Sequence, residues 1–247
     1  MNALMALALI LTPLCSLAKS SEPKVIRYGI NSNYAMPLIN VERVQNTPKL
    51  EGGLLKDLGL ALFKELNLAP TWILLPKSRV ASNLTSGNVH LVCHLNEVWQ
   101  PSIRDTVSWS HELYRSSNLI VYIGGKPIHK AKDLYGKRVG GVLNFIYQYM
   151  DDYFKKGLIL REDGPNNESN IQKLLNGRID YIIMSNLEFE YYKKIYSSLE
   201  SADLGMDVVI TKCALSPKAP VSLEELNRAI DTIRKNGTLE KILKSYN

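Results

Sequence analysis

Apolar positions along the chain recur at two spacings, and the alternation between them predicts the order of the elements. Leu54, Leu58, Leu62 and Leu66 return every fourth residue behind the pair Gly52-Gly53, which paints one face of a helix. Residues 25–31, 72–75, 89–95 and 137–143 are short apolar runs of strand length, the last one following a turn at Asp133-Leu-Tyr-Gly136. One unit occurs twice. Asn83-Leu-Thr-Ser-Gly87-Asn-Val-His90-Leu-Val-Cys93 is answered by Lys173-Leu-Leu-Asn-Gly177-Arg-Ile-Asp180-Tyr-Ile-Ile183. In both copies a helix ends at a glycine suited to a left-handed C-terminal conformation, and a buried strand begins two residues later. Strands alternating with helices predict parallel pairing with helices on both sheet faces. The chain therefore reads as two α/β lobes. Its end is a helix pair: Ser222 and Glu225 form a capping box, Leu226, Ile230 and Ile233 supply the stripe, and Asn236-Gly237 separates it from Leu239, Ile242 and Leu243.

Composition narrows the class further. With 45% hydrophobic and 22% charged residues, 15 Gly, 11 Pro and 3 Cys in 247 positions, the chain is neither disordered, collagen-like nor a disulfide-dense miniprotein. Residues 1–18 carry no charge, hold an apolar run from Leu4 to Leu11 too short to span a bilayer, and end in Ser16 and Ala18 at spacing two. They are expected to be a signal peptide cleaved after Ala18, giving an exported, periplasmic protein. Cys15 invites a lipoprotein reading, but Thr12-Pro13-Leu14 is a poor lipobox. The formal charge of +6 is scattered and has no basic block interleaved with aromatics, so nucleic acid is not an expected partner.

These residues together resemble the periplasmic extracellular solute-binding proteins of family 3, which serve polar amino acid importers. The likeness is carried by seven segments in order: Val25-Ile-Arg-Tyr-Gly29 with Asn33-Tyr-Ala-Met-Pro37, Gly53-Leu-Leu-Lys-Asp57-Leu, Leu84 to Val92, Val107-Ser-Trp-Ser110 with Leu113-Tyr114, Asp133-Leu-Tyr-Gly-Lys-Arg-Val-Gly140, Leu175-Asn-Gly-Arg-Ile-Asp180, and Asn236-Gly-Thr-Leu-Glu-Lys-Ile242. His90 stands where the family's first "L-x-x-G-x-x-D" motif has its acid. The resemblance implies a type II periplasmic-binding-protein fold: lobe one from residues 19–114 plus 207–247, lobe two from 115–206, each a mostly parallel sheet with helices on both faces. Two hinge crossings join the lobes, and solute binds in the cleft between them.

The same resemblance nominates the site. Arg104 is the expected fork for a ligand carboxylate. The stretch from His90 to Arg104 is longer, and that from Arg104 to Trp109 shorter, than the family spacing, so a displaced surface arginine is the alternative. Tyr34 is the expected aromatic of the ligand loop. His94 is either a polar contact or a satisfied structural histidine, and Trp99 is either an apolar wall or a loop cover. Ser185 falls where amino acid binders place the acid that holds an ammonium group, and a hydroxyl cannot neutralise that charge. Asn144 and Phe145 begin the segment that replaces a "G-T-T" turn offering N–H groups to a carboxylate. Both departures point away from an ordinary α-amino acid. Glu188 and Glu190 are read as a solvated acidic face.

Cys93 and Cys213 are the two cysteines of the mature chain, and export permits a disulfide tying the C-terminal segment to the lobe-one sheet; two separate buried thiols are the alternative. No cofactor or metal is expected, since His90, His94, His111 and His129 offer no ligand set beyond the first two. The expected function is capture of a small polar or carboxylate-bearing solute by a monomer that delivers it to an ABC-type permease. A ligand-sensing module for a separate receptor is one alternative. A dehydratase-like enzyme is the other, for which His94 and Glu97 are the available acids.

Overall fold

The structure, a computed structural model, describes residues 24–125, 127–206 and 208–246. The expected signal peptide and Cys15 lie outside the described residues.

The first lobe opens with β1 (Lys24–Asn31) and a small exposed hairpin, β2 (Asn40–Val44) and β3 (Thr47–Gly52). Then come α1 (Leu54–Leu66), β4 (Leu68–Leu75), α2 (Lys77–Ser86), β5 (Leu91–Leu95) and the short β6 (Ser108–Trp109). The second lobe is built from β7 (Arg115–Ile123), β8 (Arg138–Val142), α3 (Gln148–Lys155), β9 (Leu160–Gly164), α4 (Asn167–Leu175), β10 (Tyr181–Ser185), α5 (Asn186–Ile195), β11 (Leu199–Ala202) and β12 (Val208–Ile210). The chain then returns through β13 (Lys212–Leu215), α6 (Leu223–Lys235) and α7 (Thr238–Tyr246).

Two sheets result. The first has the order β4-β1-β5-β13-β6 and the second β11-β7-β10-β8-β9, with β12 also on β7. Each has three parallel strands at its heart, β4-β1-β5 in one and β10-β8-β9 in the other, with antiparallel strands beside them where the chain crosses. Parallel strands present all their C-terminal ends at one edge. In this chain those edges face each other.

The repeated unit has a shared physical basis. Gly87 and Gly177 cap their helices with φ of 77° and 65°, a conformation that side chains with a Cβ rarely adopt. After each glycine, one residue pins the neighbouring strand. Asp180 N donates to Arg138 O and its carboxylate accepts from Arg138 N, both at 2.8 Å. In lobe one His90 N donates to Arg27 O at 2.8 Å, and its Nδ1 accepts from Arg27 N at 3.2 Å. The imidazole thus replaces the carboxylate, and in both lobes the strand begins one residue after this contact, β5 at Leu91 and β10 at Tyr181, so β5 starts two positions later than the apolar run predicts.

The core of lobe one gathers Ile26, Tyr28, Ile30, Leu54, Leu58, Leu62 and Phe63 with Leu226, Ile230 and Ile233 of α6. The terminal helix pair therefore closes the lobe on which it packs. Two crossings connect the lobes, and they are zipped together. Leu113 N donates to Thr211 O at 2.8 Å, Thr211 N to Tyr114 O at 2.9 Å, and Thr211 Oγ1 to Tyr114 O at 2.7 Å. Beside this zip Cys93 of β5 and Cys213 of β13 form the expected disulfide.

Two expectations follow from these contacts. Replacing both Cys93 and Cys213 with Ser should lower unfolding stability by about 2–4 kcal/mol, as a bond spanning 120 residues constrains the unfolded chain; urea titration checks it. His90 can accept from Arg27 only while neutral, and burial together with the Arg27 charge lowers its pKa below 6.5. Stability from this contact is therefore complete above pH 6.5 and lost as pH falls through the folded value. His90→Asp, which copies lobe two, should keep the fold and narrow the gap between urea midpoints at pH 7.5 and pH 5.

Candidate functional site

Between the facing sheet edges lies a narrow cleft lined by both lobes. Lobe one lines it with Tyr34, just past β1, Lys77, just past β4, His94 near the end of β5, and Trp99. Lobe two supplies Phe145 and Tyr147 past the end of β8, Asn167 at the start of α4, and Ser185 and Glu188 at the junction of β10 and α5. Ser116 and Asn118 of β7 line it from the crossing side. The lobes touch across it. Asn33 Nδ2 donates to Pro165 O at 3.0 Å, and the Tyr34 and Phe145 rings meet edge to face at 5.7 Å.

Aromatic rings make most of the wall of lobe one. His94 is 4% exposed and sits between Tyr34, at 5.2 Å and nearly perpendicular, and Tyr114, stacked at 5.7 Å. Trp99 leans on the same imidazole at 5.9 Å. The His94 backbone is left-handed, with φ of 57°, which turns the end of β5. Its Nδ1 lies 2.7 Å from the Tyr114 hydroxyl, and the Tyr34 hydroxyl donates to its carbonyl at 3.3 Å. Burial and the nearby Lys77 charge push the His94 pKa down to about 4. At neutral pH it is an uncharged part of the wall.

The charged groups are one on each jaw. Lys77 begins α2, where its N–H is capped by Asn33 Oδ1 at 3.0 Å. Its Nζ donates to Trp99 O at 3.0 Å, which among the described residues leaves two of three N–H bonds free. Burial lowers its pKa to about 8, and among the described residues no carboxylate pairs with this half-buried ammonium. Glu188 is 7% exposed and closes the capping box of α5. Ser185 Oγ donates to its Oε2 at 2.7 Å, Ser185 N to the same oxygen at 3.3 Å, and Asn167 Nδ2 to Oε1 at 3.0 Å. Burial raises the Glu188 pKa, opposed by these hydrogen bonds. The expectation of a solvated acidic face is overturned for Glu188, because the Ser185-x-x-Glu188 spacing folds the carboxylate back over the strand end; Glu190 is exposed.

Of the residues nominated from sequence, Tyr34, His94, Trp99, Phe145 and Ser185 come together in the cleft lining. Two do not. In the 3-10 turn Pro101–Ile103 the inward position goes to Ile103, 3% exposed among Val80, Leu84 and Val107, and Arg104 one residue on faces solvent. Its carbonyl accepts from Trp109 Nε1 at 2.9 Å. Asn144 is exposed in a left-handed turn, with φ of 65°, that delivers Phe145 and Ile146 to the cleft in its place. Glu97 is paired with Lys212 at 2.6 Å and lies outside the lining. Sequence reasoning passed over Lys77, whose signal is its place at a strand end. It misread Glu188, whose signal is the capping-box spacing. Among the described residues no group of three His, Cys, Asp or Glu can hold a metal ion, and no helix is long and apolar enough to cross a membrane.

The architecture is that of the type II periplasmic binding proteins. It is similar to an ancestral arginine-binding protein bound to arginine, with TM-score 0.73, 22% identity, and coverage of 92% of this chain and 99% of that one. It is similar as well to an amino acid ABC transporter substrate-binding protein from Streptococcus pneumoniae bound to L-arginine, with TM-score 0.74, 16% identity, and coverage of 90% and 94%. An ancestral amino acid-binding protein described as a precursor of cyclohexadienyl dehydratase aligns with TM-score 0.72 and 19% identity over 90% and 95%. The sequence matches no protein-family model and no curated protein. At these identities the likeness establishes the fold, as the ordered motifs implied.

Because His94 is neutral in the folded protein and carries an ordinary value of 6.5 when unfolded, its contribution to stability is complete above pH 6.5. It is lost as pH falls toward 4. The loss is on the order of 3 kcal/mol. Replacing His94 with Asn, which tolerates the left-handed backbone, should flatten that part of the stability profile measured by urea unfolding.

Proposed function

We propose that the protein captures a small, polar, carboxylate-bearing solute between its lobes and delivers it to an ABC-type membrane permease from the periplasm. The observation that carries this reading is the pair of unlike charges, half-buried Lys77 and buried Glu188, on opposite jaws of one cleft. Each charge withdrawn from water without an ionic partner disfavours the closed form, and a solute bridging the jaws supplies the partner. Among the described residues two of the Lys77 N–H bonds are free for a carboxylate. Neighbours of the same fold described as substrate-binding proteins of amino acid ABC transporters support the reading. The cation side differs from the expected pattern, with Ser185 at the strand end and the acid moved to Glu188, which favours a solute other than an ordinary α-amino acid.

A thermal-shift panel of amino acids, dipeptides, polyamines and carboxylates on the chain from residue 19 tests this. A true ligand at a hundredfold over its Kd should add about 2.7 kcal/mol and raise the melting temperature by roughly 5–10 °C. Lys77→Met should weaken a carboxylate ligand at least about tenfold, and Arg104→Ala should leave it unchanged. A panel with no response from any class would remove the capture reading.

A further inference from the structure

The two charges of the cleft sit at opposite ends of a row of rings. In lobe one the row runs Trp99, His94, Tyr34, with successive centroids 5.9 Å and 5.2 Å apart. Among the described residues no ring contact joins Trp99 to Tyr34, so His94 lies between them. The Lys77 ammonium is at the Trp99 end. Its backbone starts beside Asn33, whose Oδ1 accepts from Lys77 N at 3.0 Å, and the side chain carries Nζ away to Trp99 O, also at 3.0 Å. Glu188 is at the Tyr34 end. Asn33 Nδ2 donates to Pro165 O at 3.0 Å, which sets the residue before Tyr34 against the start of α4, and there Asn167 Nδ2 donates to Glu188 Oε1 at 3.0 Å. The fields divide in the same way. Beyond burial, which dominates, the Lys77 charge bears on His94 and the Glu188 charge on Tyr34 and Tyr147.

Between these ends the cleft is apolar on both sides. Phe145 and Ile146 of lobe two line it opposite the row, Phe145 meeting Tyr34 edge to face at 5.7 Å. Ring faces and aliphatic side chains suit methylene groups and offer a charge no partner. At the Glu188 end a primary ammonium finds acceptors for its three N–H bonds. Oε1 accepts from Asn167 and, among the described residues, has a second position open. Ser116 and Asn118 of β7 bring side-chain oxygens to the same jaw, Asn118 in register with Ser185, and the Tyr34 hydroxyl, which donates to His94 O, can still accept. At the Lys77 end two N–H bonds are free among the described residues, which suits a carboxylate. An α-amino acid carries both charges on one carbon, so it meets one end of the row and leaves the other unmatched.

Building on the capture reading, we propose that the solute is an ω-amino carboxylate, with its primary ammonium at the Glu188 end, its carboxylate at the Lys77 end, and an apolar chain laid along Tyr34, His94 and Trp99. The row of rings sets the length of that chain.

Calorimetric titration of the chain from residue 19 with three isomer pairs tests this: 2- and 4-aminobutanoate, 2- and 5-aminopentanoate, 2- and 6-aminohexanoate. Within a pair composition and net charge are equal, and the span between the charges differs. At the length that binds best, the ω-isomer should be tighter than its α-isomer by at least about tenfold. Removing its amine, as in butanoate, pentanoate or hexanoate, should cost at least about tenfold as well, and Glu188→Gln, which keeps the capping-box spacing, should erase that cost. The comparison with the amine-free acid needs no variant and decides the matter if Glu188→Gln fails to fold. An α-isomer as tight as its ω-isomer in every pair overturns the proposal, and so does an amine-free acid as tight as the best ω-isomer. Silence from all three ω-isomers, when another solute class raises the melting temperature, overturns it too and leaves the capture reading standing. Silence from every class removes both.

Discussion

A carboxylate taken out of water has to be met by donors, and the donors that meet Glu188 also assemble the jaw of lobe two. Ser185 ends β10 and begins α5, and Asn167 begins α4, so two helix starts and a strand end converge on one charge. Lobe one is organised the same way around Lys77. Its backbone N–H is held by Asn33, and the same Asn33 amide reaches across to Pro165, two residues before Asn167. A short path of hydrogen bonds and chain thus links the two charged groups. Lobe closure and the placing of charge are parts of one arrangement.

Much of the fold was legible because its signals are local. Gly87 and Gly177 mark helix ends that only the left-handed conformation permits, and the Leu54 to Leu66 stripe marks a buried face. The capping box at Ser222 and Glu225 forms as spaced. The chain's return to the first sheet made a Cys93–Cys213 bond one of two open readings, two separate thiols being the other, and the bond is formed. Sites depend on direction as well as position, and there the reading slipped. Arg104 lost its place by one residue, because a three-residue turn admits one inward side chain and Ile103, being apolar, took it. Glu188 has the spacing of a solvated helix face, yet the first turn of a capped helix bends its third residue back toward the preceding strand.

The two lobes also show what a duplicated unit requires and what it leaves free. Both hold an arginine whose strand is pinned by the residue three positions after the glycine, and whose guanidinium reaches the carbonyl of that glycine. The requirement is an acceptor for a backbone N–H, which a carboxylate or a neutral imidazole fulfils equally well in geometry. They differ in acid: Asp180 keeps its acceptor to low pH, helped by hydrogen bonds from Arg138, whereas protonation of His90 turns its acceptor into a donor.

The disulfide has a mechanical side. By welding β13 to β5 next to the zip between Tyr114 and Thr211, it makes the near side of both crossings part of the rigid body of lobe one. Any opening of the cleft must then pivot beyond Thr211, where β12 is paired with β7. Lobe two becomes a lever with a short fixed fulcrum, so a small torsion at the crossings carries the buried Glu188 through a larger arc.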